Sequence, residues 1–333
     1  MSFVIQQAKG PFTMINNANE EYNIKSSYLN GELTREEFWS IINSSLNETR
    51  ELQQLLLQDA VSLEVFRENL VVKYQLGNNE CLRLVIPKND LRTASFTILA
   101  NGNYESLLED VIFELASSSN KFLDIGANMG FYSVGACLKK RNLEVLAFEP
   151  NPSIRKSLIQ NTELNHVENK IEISEFALSD FTGDATFSVP AFTGSGGGSL
   201  KNLHPEEGLP TEFSVKVEKL DNLRNQTLGA DLFKIDVEGA EFQLLQGGIG
   251  TIDEEHPTIV VELLRKWMKP FQSSPQDVVD LLAPLGYICF AVGNSKLEQI
   301  ESIDESTSET NFVFCYKENL QHLKLLRNIH REN

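Results

Sequence analysis

From Lys121 onward, short apolar runs rich in β-branched and aromatic residues alternate with amphipathic segments of helical length, and no other feature constrains the fold so tightly. The runs are KFLDIG at 121, EVLAFEP at 144, KIEISEFAL at 170, DLFKIDV at 231 and TIVVELL at 258. Between them lie GFYSVGACLKK, NPSIRKSLIQNTELN, EGAEFQLLQGG and SPQDVVDLLAPLG, each with helical spacing of its apolar residues. Strands that are apolar on both sides, separated by helices, predict a parallel sheet covered on both faces. YICFAVG and NFVFCYK are the last strands, and the polar stretch between them has no long helical pattern, which suits an antiparallel pair. DATFSVP and EFSVKVEKL read as an inserted antiparallel pair, and no internal repeat is found. ESLLEDVIFELASSS is a helix leading into the alternation, and ENLQHLKLLRNIHREN is a terminal helix that docks on the body.

The region before the alternation follows different rules. Thr34 followed by Glu37 is a capping box, opening a helix with Phe38, Ile42, Leu46, Leu52 and Leu56 on one side. Residues 1–72 read as a helical extension that packs on the main domain, makes a homodimer or covers the site, and 73–333 as the main domain. LVVKYQLGNNECLRLVIP reads as a hairpin around Gly77-Asn78-Asn79, and RTASFTILANGNYE as extended chain to Gly102.

A net charge of −18 argues against a nucleic-acid partner, since such binding needs clustered Lys and Arg. Cys81, Cys137, Cys289 and Cys315 stand far apart in apolar runs, so free buried thiols are expected. The first residues lack the pattern of a secretory signal, and no apolar stretch reaches the roughly 20 residues of a membrane span. No membrane partner and a cytoplasmic location are expected.

The turn DIGANMG, residues 124–130, points to a ligand. In open parallel sheets, ligands lie beyond the carboxyl ends of the strands. Gly126 and Gly130 allow unusual backbone angles and close approach. A pyrophosphate turn would show GxGxxG, but here Asn128 stands at the second glycine by spacing, and Asp124 repels phosphate and attracts a cation. Glu149 ends the next strand, where a carboxylate accepts hydrogen bonds from a ribose diol. A nucleoside without pyrophosphate but with a cationic group describes S-adenosylmethionine. Asp124 is expected at its ammonium and Glu149 at its ribose. Phe176, Ala177 and Leu178 frame the adenine, with Ser179 or Asp180 near its amino group.

FLDIGANMGFYS, FEPNP, ALSDFTGDATF, KIDVEGAE and HPTIVVEL occur in the order that resembles the FkbM family of S-adenosylmethionine-dependent methyltransferases, over roughly residues 81–316. The resemblance implies an α/β class I methyltransferase (Rossmann-like) fold, a seven-stranded mostly parallel sheet with its last strand antiparallel. It also implies O-methyl transfer to a small-molecule or peptide acceptor, such as a polyketide, peptide or sugar hydroxyl. Tyr104 and Glu105 match a family position expected to touch the donor. Ala127, Phe131, Pro150 and Asn151 join the donor set as neighbours of the turn and of Glu149.

An alcohol acceptor must lose its proton, for which a carboxylate is suited. Asp236, Glu238, Glu241 and Glu262 are the candidates. Glu238 and Glu241 also sit where acidic residues favour a helix start, and Asp236 has a second role open to it at the donor's amino group. Lys234 anchors a neighbouring carboxylate. His256, on a loop before its strand, and His166 are read as structural. In AFTGSGGGSLKNLHPEEGLP the glycines lack the GK[ST] ending of a phosphate loop. The segment is either a plain connection or a lid, with Ser199, Leu200 and His204 over the substrate. No metal is expected. A nicotinamide oxidoreductase, a non-catalytic scaffold, and a carboxylate acceptor met by Arg265 or Lys266 are the alternatives.

Overall fold

The computed structural model describes residues 14–15, 21–22, 27–28, 30–45, 61–66, 69–77, 80–87, 93–191 and 194–329. The chain divides into two compact units, Met1–Tyr104 and Glu105–Asn333.

In the first unit, the helix Arg35–Ser45 starts at the expected capping box. The Glu37 carboxylate accepts from the Thr34 amide at 2.9 Å, and the Thr34 hydroxyl accepts from the Glu37 amide at 3.2 Å. Phe38 and Trp39 are buried, packing edge-on against Phe96. The continuation through Leu46, Leu52 and Leu56 lies outside the described residues. Two expectations are corrected. Residues 61–66 and 69–72 are not helical, because Val61–Phe66, Asn69–Leu76 and Glu80–Val85 form a three-stranded antiparallel sheet, and the boundary expected at 72–73 falls inside its middle strand. Val71, Val72, Leu82 and Leu84 bury side chains that suit a pleated surface. The segment expected to be extended is the helix Ala94–Asn101. Thr93 caps it, accepting from the Phe96 amide, and Gly102 closes it in the left-handed region at φ 82°. Phe96, Thr97 and Ile98 are β-formers, but two caps and burial outweigh propensity here.

The second unit carries the expected alternation around an eight-stranded sheet. Its strands are β1 Lys121–Ile125, β2 Glu144–Phe148, β3 Ile171–Ser174, β4 Leu232–Ile235, β5 Thr258–Glu262, β6 Tyr287–Val292, β7 Leu297–Ile300 and β8 Asn311–Tyr316. Their order is β7-β6-β8-β5-β4-β1-β2-β3. Neighbours from β3 through β5 are parallel, whereas β8 runs antiparallel to both β5 and β6. Without β7 the sheet has seven strands, with only β8 antiparallel to its neighbours. The short β7 adds a hairpin to β6 within the stretch read as plain polar connection.

The run KIEISEFAL divides at Glu175. Ile171–Ser174 stays in the large sheet, and Ala177–Leu178 joins the inserted pair Gly183–Val189 and Thr211–Glu218 in a second, three-stranded sheet. One face of the large sheet buries Leu123, Ile125, Phe233, Ile235 and Val261 with the helices α4 Glu241–Gly247 and α5 Pro275–Leu282. The other face, with Asp124 and Lys234, meets α1 Ser106–Ser118 and α2 Phe131–Lys139. The terminal helix Leu320–Asn328 docks through buried Leu323, Leu326 and His322, whose Nδ1 lies 2.7 Å from the Thr258 hydroxyl. All four cysteines are free thiols, three of them buried and Cys81 half-buried.

Candidate active site

Successive strands run from β1 to one edge through β2 and β3, and from β4 to the other through β5. The chain therefore diverges between β1 and β4 and opens a crevice at their carboxyl ends. At that point the two backbones nearly touch. The Asp236 amide donates to the Ile125 carbonyl at 3.0 Å. A Cβ on Gly126, where φ is +79°, would lie 1.7 Å from the Asp236 carbonyl oxygen, so both sterics and dihedral demand glycine. At Gly130 a Cβ would meet Leu158 at 2.3 Å, which ties the start of α2 to α3 Pro152–Leu164. Asn128, left-handed at φ 50°, accepts the Met129 amide on its own side chain at 2.8 Å.

Beneath this turn lies a network of charges. Lys234 on β4 stands beside Asp124 on β1 in register, so both side chains leave the same face. The Lys234 ammonium donates to Asp236 Oδ2 at 3.0 Å and to the Gly126 carbonyl at 3.4 Å, and sits 5.6 Å from the centre of the Tyr132 ring. Burial alone would pull this ammonium down, but Asp236, Asp124 and Glu105 around it outweigh burial and raise it. Asp124 is 1% exposed. Burial pushes its carboxyl up against the opposing pull of Lys234 and of the Ser133 hydroxyl, which donates to Oδ2 at 2.5 Å. Its Oδ1 is buried without a hydrogen-bond partner. The Tyr132 hydroxyl donates to Glu105 at 2.5 Å, bringing the start of α1 to the same network. Tyr104 is the last residue of the first unit.

Glu149 closes the other side of the turn. Its two oxygens accept the Asn128 amide at 2.9 Å and the Asn151 amide at 2.8 Å, leaving one further acceptor direction on each. Burial pushes its carboxyl up to about 7, with those two amides pulling the other way. Asn151 caps α3, and Pro150 precedes it half-buried. Ala127 and Phe131 are buried in the turn and the first position of α2. Ala177, Leu178 and Ser179 follow β3, all buried, with the Ser179 amide donating to the Glu218 carbonyl at 3.1 Å.

The four acidic candidates separate. Asp236 is half-buried at the crevice. Glu262, at the end of β5, shares with it a small void of about 10 Å³ lined also by Lys234, Glu105, Leu108 and Asn311. Burial, then the charges of Asp236 and Glu105, push the Glu262 carboxyl up to about 9. Glu241 turns inward instead. Its Oε1 accepts the Val237 amide at 3.2 Å and the Gly239 amide at 2.9 Å, and burial pushes it up to about 7. It shapes the loop after β4. Glu238 is left-handed at φ 55°, and its carbonyl accepts the Ser199 hydroxyl at 2.7 Å.

That last bond shows where the glycine-rich segment goes. Ser199 also bridges Ser188 through two backbone bonds, and Leu200 packs on the cluster of Phe187 and Val215. His204 is buried against Trp267 at 4.6 Å, with Nδ1 3.4 Å from Glu206 and Glu207. Described residues 194–210 are thus fastened to the loop after β4 and to the segment after β5. His256 lies at the amino end of β5, 4.0 Å from Tyr316, away from the crevice. Arg265 donates to the carbonyls of Asp304 and Thr307, and Lys266 lies over the Trp267 ring. Among the described residues no three His, Cys, Asp or Glu form a metal-sized group.

Tyr132, Ser133 and Asn311 escaped sequence reasoning. Tyr132 and Ser133 open α2 at the expected turn, and the nine-residue step from Asp124 to Ser133 is the signal that strand–turn–helix geometry offered. Asn311 pairs with Glu262 across β5 and β8, a register no local pattern announces.

Residues 124–289 match the methyltransferase FkbM domain. The chain carries an FkbM domain and is a methyltransferase. It is 29% identical to Methyltransferase sdnD of Sordaria araneosa over 206 residues, 52% of this chain and 76% of that protein. It is 25% identical to Hexuronic acid methyltransferase AglP of Haloferax volcanii over 150 residues, 45% of this chain and 59% of that protein. The crystal structure of methyltransferase FkbM from Methylobacillus flagellatus KT aligns with a TM-score of 0.38 and 16% identity, over 59% of this chain and 43% of that one. The FkbM match runs from Asp124 to Cys289, so it contains the turn, Glu149, Asp236 and Glu262. It leaves out α1, β8 and the loops beside them.

Proposed function

We propose that the chain transfers the methyl group of S-adenosylmethionine to a hydroxyl of a small-molecule or peptide acceptor. One observation carries the donor assignment. At the divergence of β1 and β4 stands a glycine turn without a pyrophosphate cradle, flanked by Glu149 on one side and by Asp124 and Asp236 on the other. The residues fit such a donor. Glu149 retains acceptor capacity for a ribose diol, and Gly126 and Gly130 exclude side chains from the turn. Asp124 lies under the turn, so Asp236 is the carboxylate better placed for the ammonium, with Asp124 and Lys234 supporting it from below. Ala177, Leu178 and Ser179 border the adenine.

S-adenosylmethionine supplies a methyl group on a positively charged sulfur, open to in-line attack. The protein's main task is orientation, which contributes up to roughly 7–11 kcal/mol in well-aligned reactions. Asp236 and Glu262 are the acids beside the acceptor, and one of them takes the hydroxyl proton. Glu238 and Glu241 act through the loop they shape, and Ser199, Leu200 and His204 hold the cover in place.

The second reading, methyl-ester formation, draws on the name of AglP, since a hexuronic acid bears a carboxylate. Arg265 and Lys266 would have to meet that carboxylate, yet the Arg265 guanidinium is spent on carbonyls. The test is methyl transfer from label-bearing donor into a mixed acceptor pool, followed by mild alkali. A label that survives alkali supports an ether. A label released as methanol means an ester and overturns the hydroxyl assignment.

A further inference from the structure

Beside the small void at Asp236 and Glu262 lies a cavity of about 480 Å³, which nothing above has given a role. Its walls are the start of α1, the end of β6 with Gly293 and Asn294, and residues 308–311 leading into β8. The cavity and the void share Glu105, Leu108 and Asn311, so the two are immediate neighbours. Its volume suits a ligand of one or two rings.

The lining chemistry is one-sided. Glu105 and Glu309 are acidic, and Ser106, Asn294, Ser308, Thr310 and Asn311 are polar and uncharged. Among the described residues, no Lys, Arg or His belongs to the lining. Leu107 and Leu108 are buried and make an apolar floor, which matches the C–H face of a saturated ring. Such walls offer hydrogen bonds to hydroxyls and a counter-charge to an amine, and they repel an acid. The overall charge of −18 acts in the same sense at longer range.

We infer that this cavity is the acceptor site and that it takes a polyhydroxylated compound bearing a protonated amine, with Glu309 as the residue that selects for the amine. The inference rests on the methyltransferase reading above, because it takes the neighbouring void as the place of transfer. It also separates this chain from a relative named for an acidic sugar.

The test uses the full chain with saturating S-adenosylhomocysteine, and saturation-transfer NMR with three probes on one ring: glucosamine, glucose and glucuronate. The expected order is glucosamine, then glucose, then glucuronate, with the first and last differing by about tenfold or more. Glu309→Gln is expected to lower glucosamine to the level of glucose. Ser308→Trp, which fills the cavity, is expected to abolish all three signals. Calorimetric affinity for S-adenosylhomocysteine should be unchanged in both variants, and where Ser308→Trp disturbs folding, Glu309→Gln decides alone. Glucuronate bound as well as glucosamine, equal signals for glucosamine and glucose, no signal from any probe, or indifference to Glu309→Gln would each overturn the inference. If S-adenosylhomocysteine binds while the probes fail, only the acceptor class falls. If S-adenosylhomocysteine itself fails to bind, the donor reading falls first.

Discussion

The crevice has two halves made of different material. The half after β1 and β2 is backbone and buried charge: a glycine turn pressed against the Asp236 carbonyl, and Glu149 holding two amides. The half after β5 and β6 and before β8 is side chains on loop ends, among them Glu262, Asn294, Glu309 and Asn311. The first half has almost no freedom to change, since each part excludes or satisfies another. In the second half a residue can be exchanged without disturbing the sheet, so under the proposed reading acceptor specificity varies there while the donor half stays fixed.

Breaking the rigid half should have the largest effects. Gly126→Ala places a methyl against a backbone oxygen in a left-handed conformation, and about 4 kcal/mol of stability should be lost. Urea unfolding measures this, and a loss under 1 kcal/mol would mean the turn is looser than described. Lys234→Met comes next. It strips Asp124 and Asp236 of their cation, with an expected loss of about 3 kcal/mol, the low end for a broken buried pair because Asp236 is partly solvated. Stability of that variant should recover as pH falls and the carboxylates take protons, and a loss independent of pH would contradict the charge account.

Glu262, at the junction of the halves, should act through pH. Its folded value is raised from 4.5 to about 9, so across that window the folded state binds more protons than the unfolded one. Stability from this group is full below 4.5 and lost as pH rises through about 9. Glu262→Gln removes the titration, so the fall in melting temperature between neutral pH and pH 9 should be shallower than in the wild type. An unchanged slope would show that Glu262 ionises freely. The smallest effect belongs to the loop half: Glu309→Gln should alter stability by no more than about 0.5 kcal/mol. A larger change would make Glu309 part of the framework and erase the contrast.

The same contrast explains what the sequence disclosed. The features proposed for the donor are local: Asp124, Gly126 and Gly130 lie within seven residues, and Glu149 ends the next strand, so pattern and turn chemistry point to them. Tyr132 and Ser133 belong to that local set and were within reach. The features proposed for the acceptor are not local. Glu105 and Glu309 meet one cavity from positions two hundred residues apart, through the insertion of β8 between β5 and β6. Glu241 looked like a catalytic acid because its strand-end position is right, but its side chain folds back to the amides of Val237 and Gly239. In the first unit, Phe96 and Ile98 suggested a strand until the caps at Thr93 and Gly102 were seen to close a helix.

The central claim is that the turn and Glu149 form the donor site, and calorimetric titration with S-adenosylhomocysteine tests it most directly. Wild-type protein should bind it, and Glu149→Ala should weaken binding at least tenfold, since a ribose diol loses a charged acceptor worth about 1.5–3 kcal/mol. A circular-dichroism melt on the variant, which leaves the amides of Asn128 and Asn151 unpaired, guards against a mere loss of fold. Equal binding by wild type and folded variant, or binding of NAD in place of S-adenosylhomocysteine, would contradict the account.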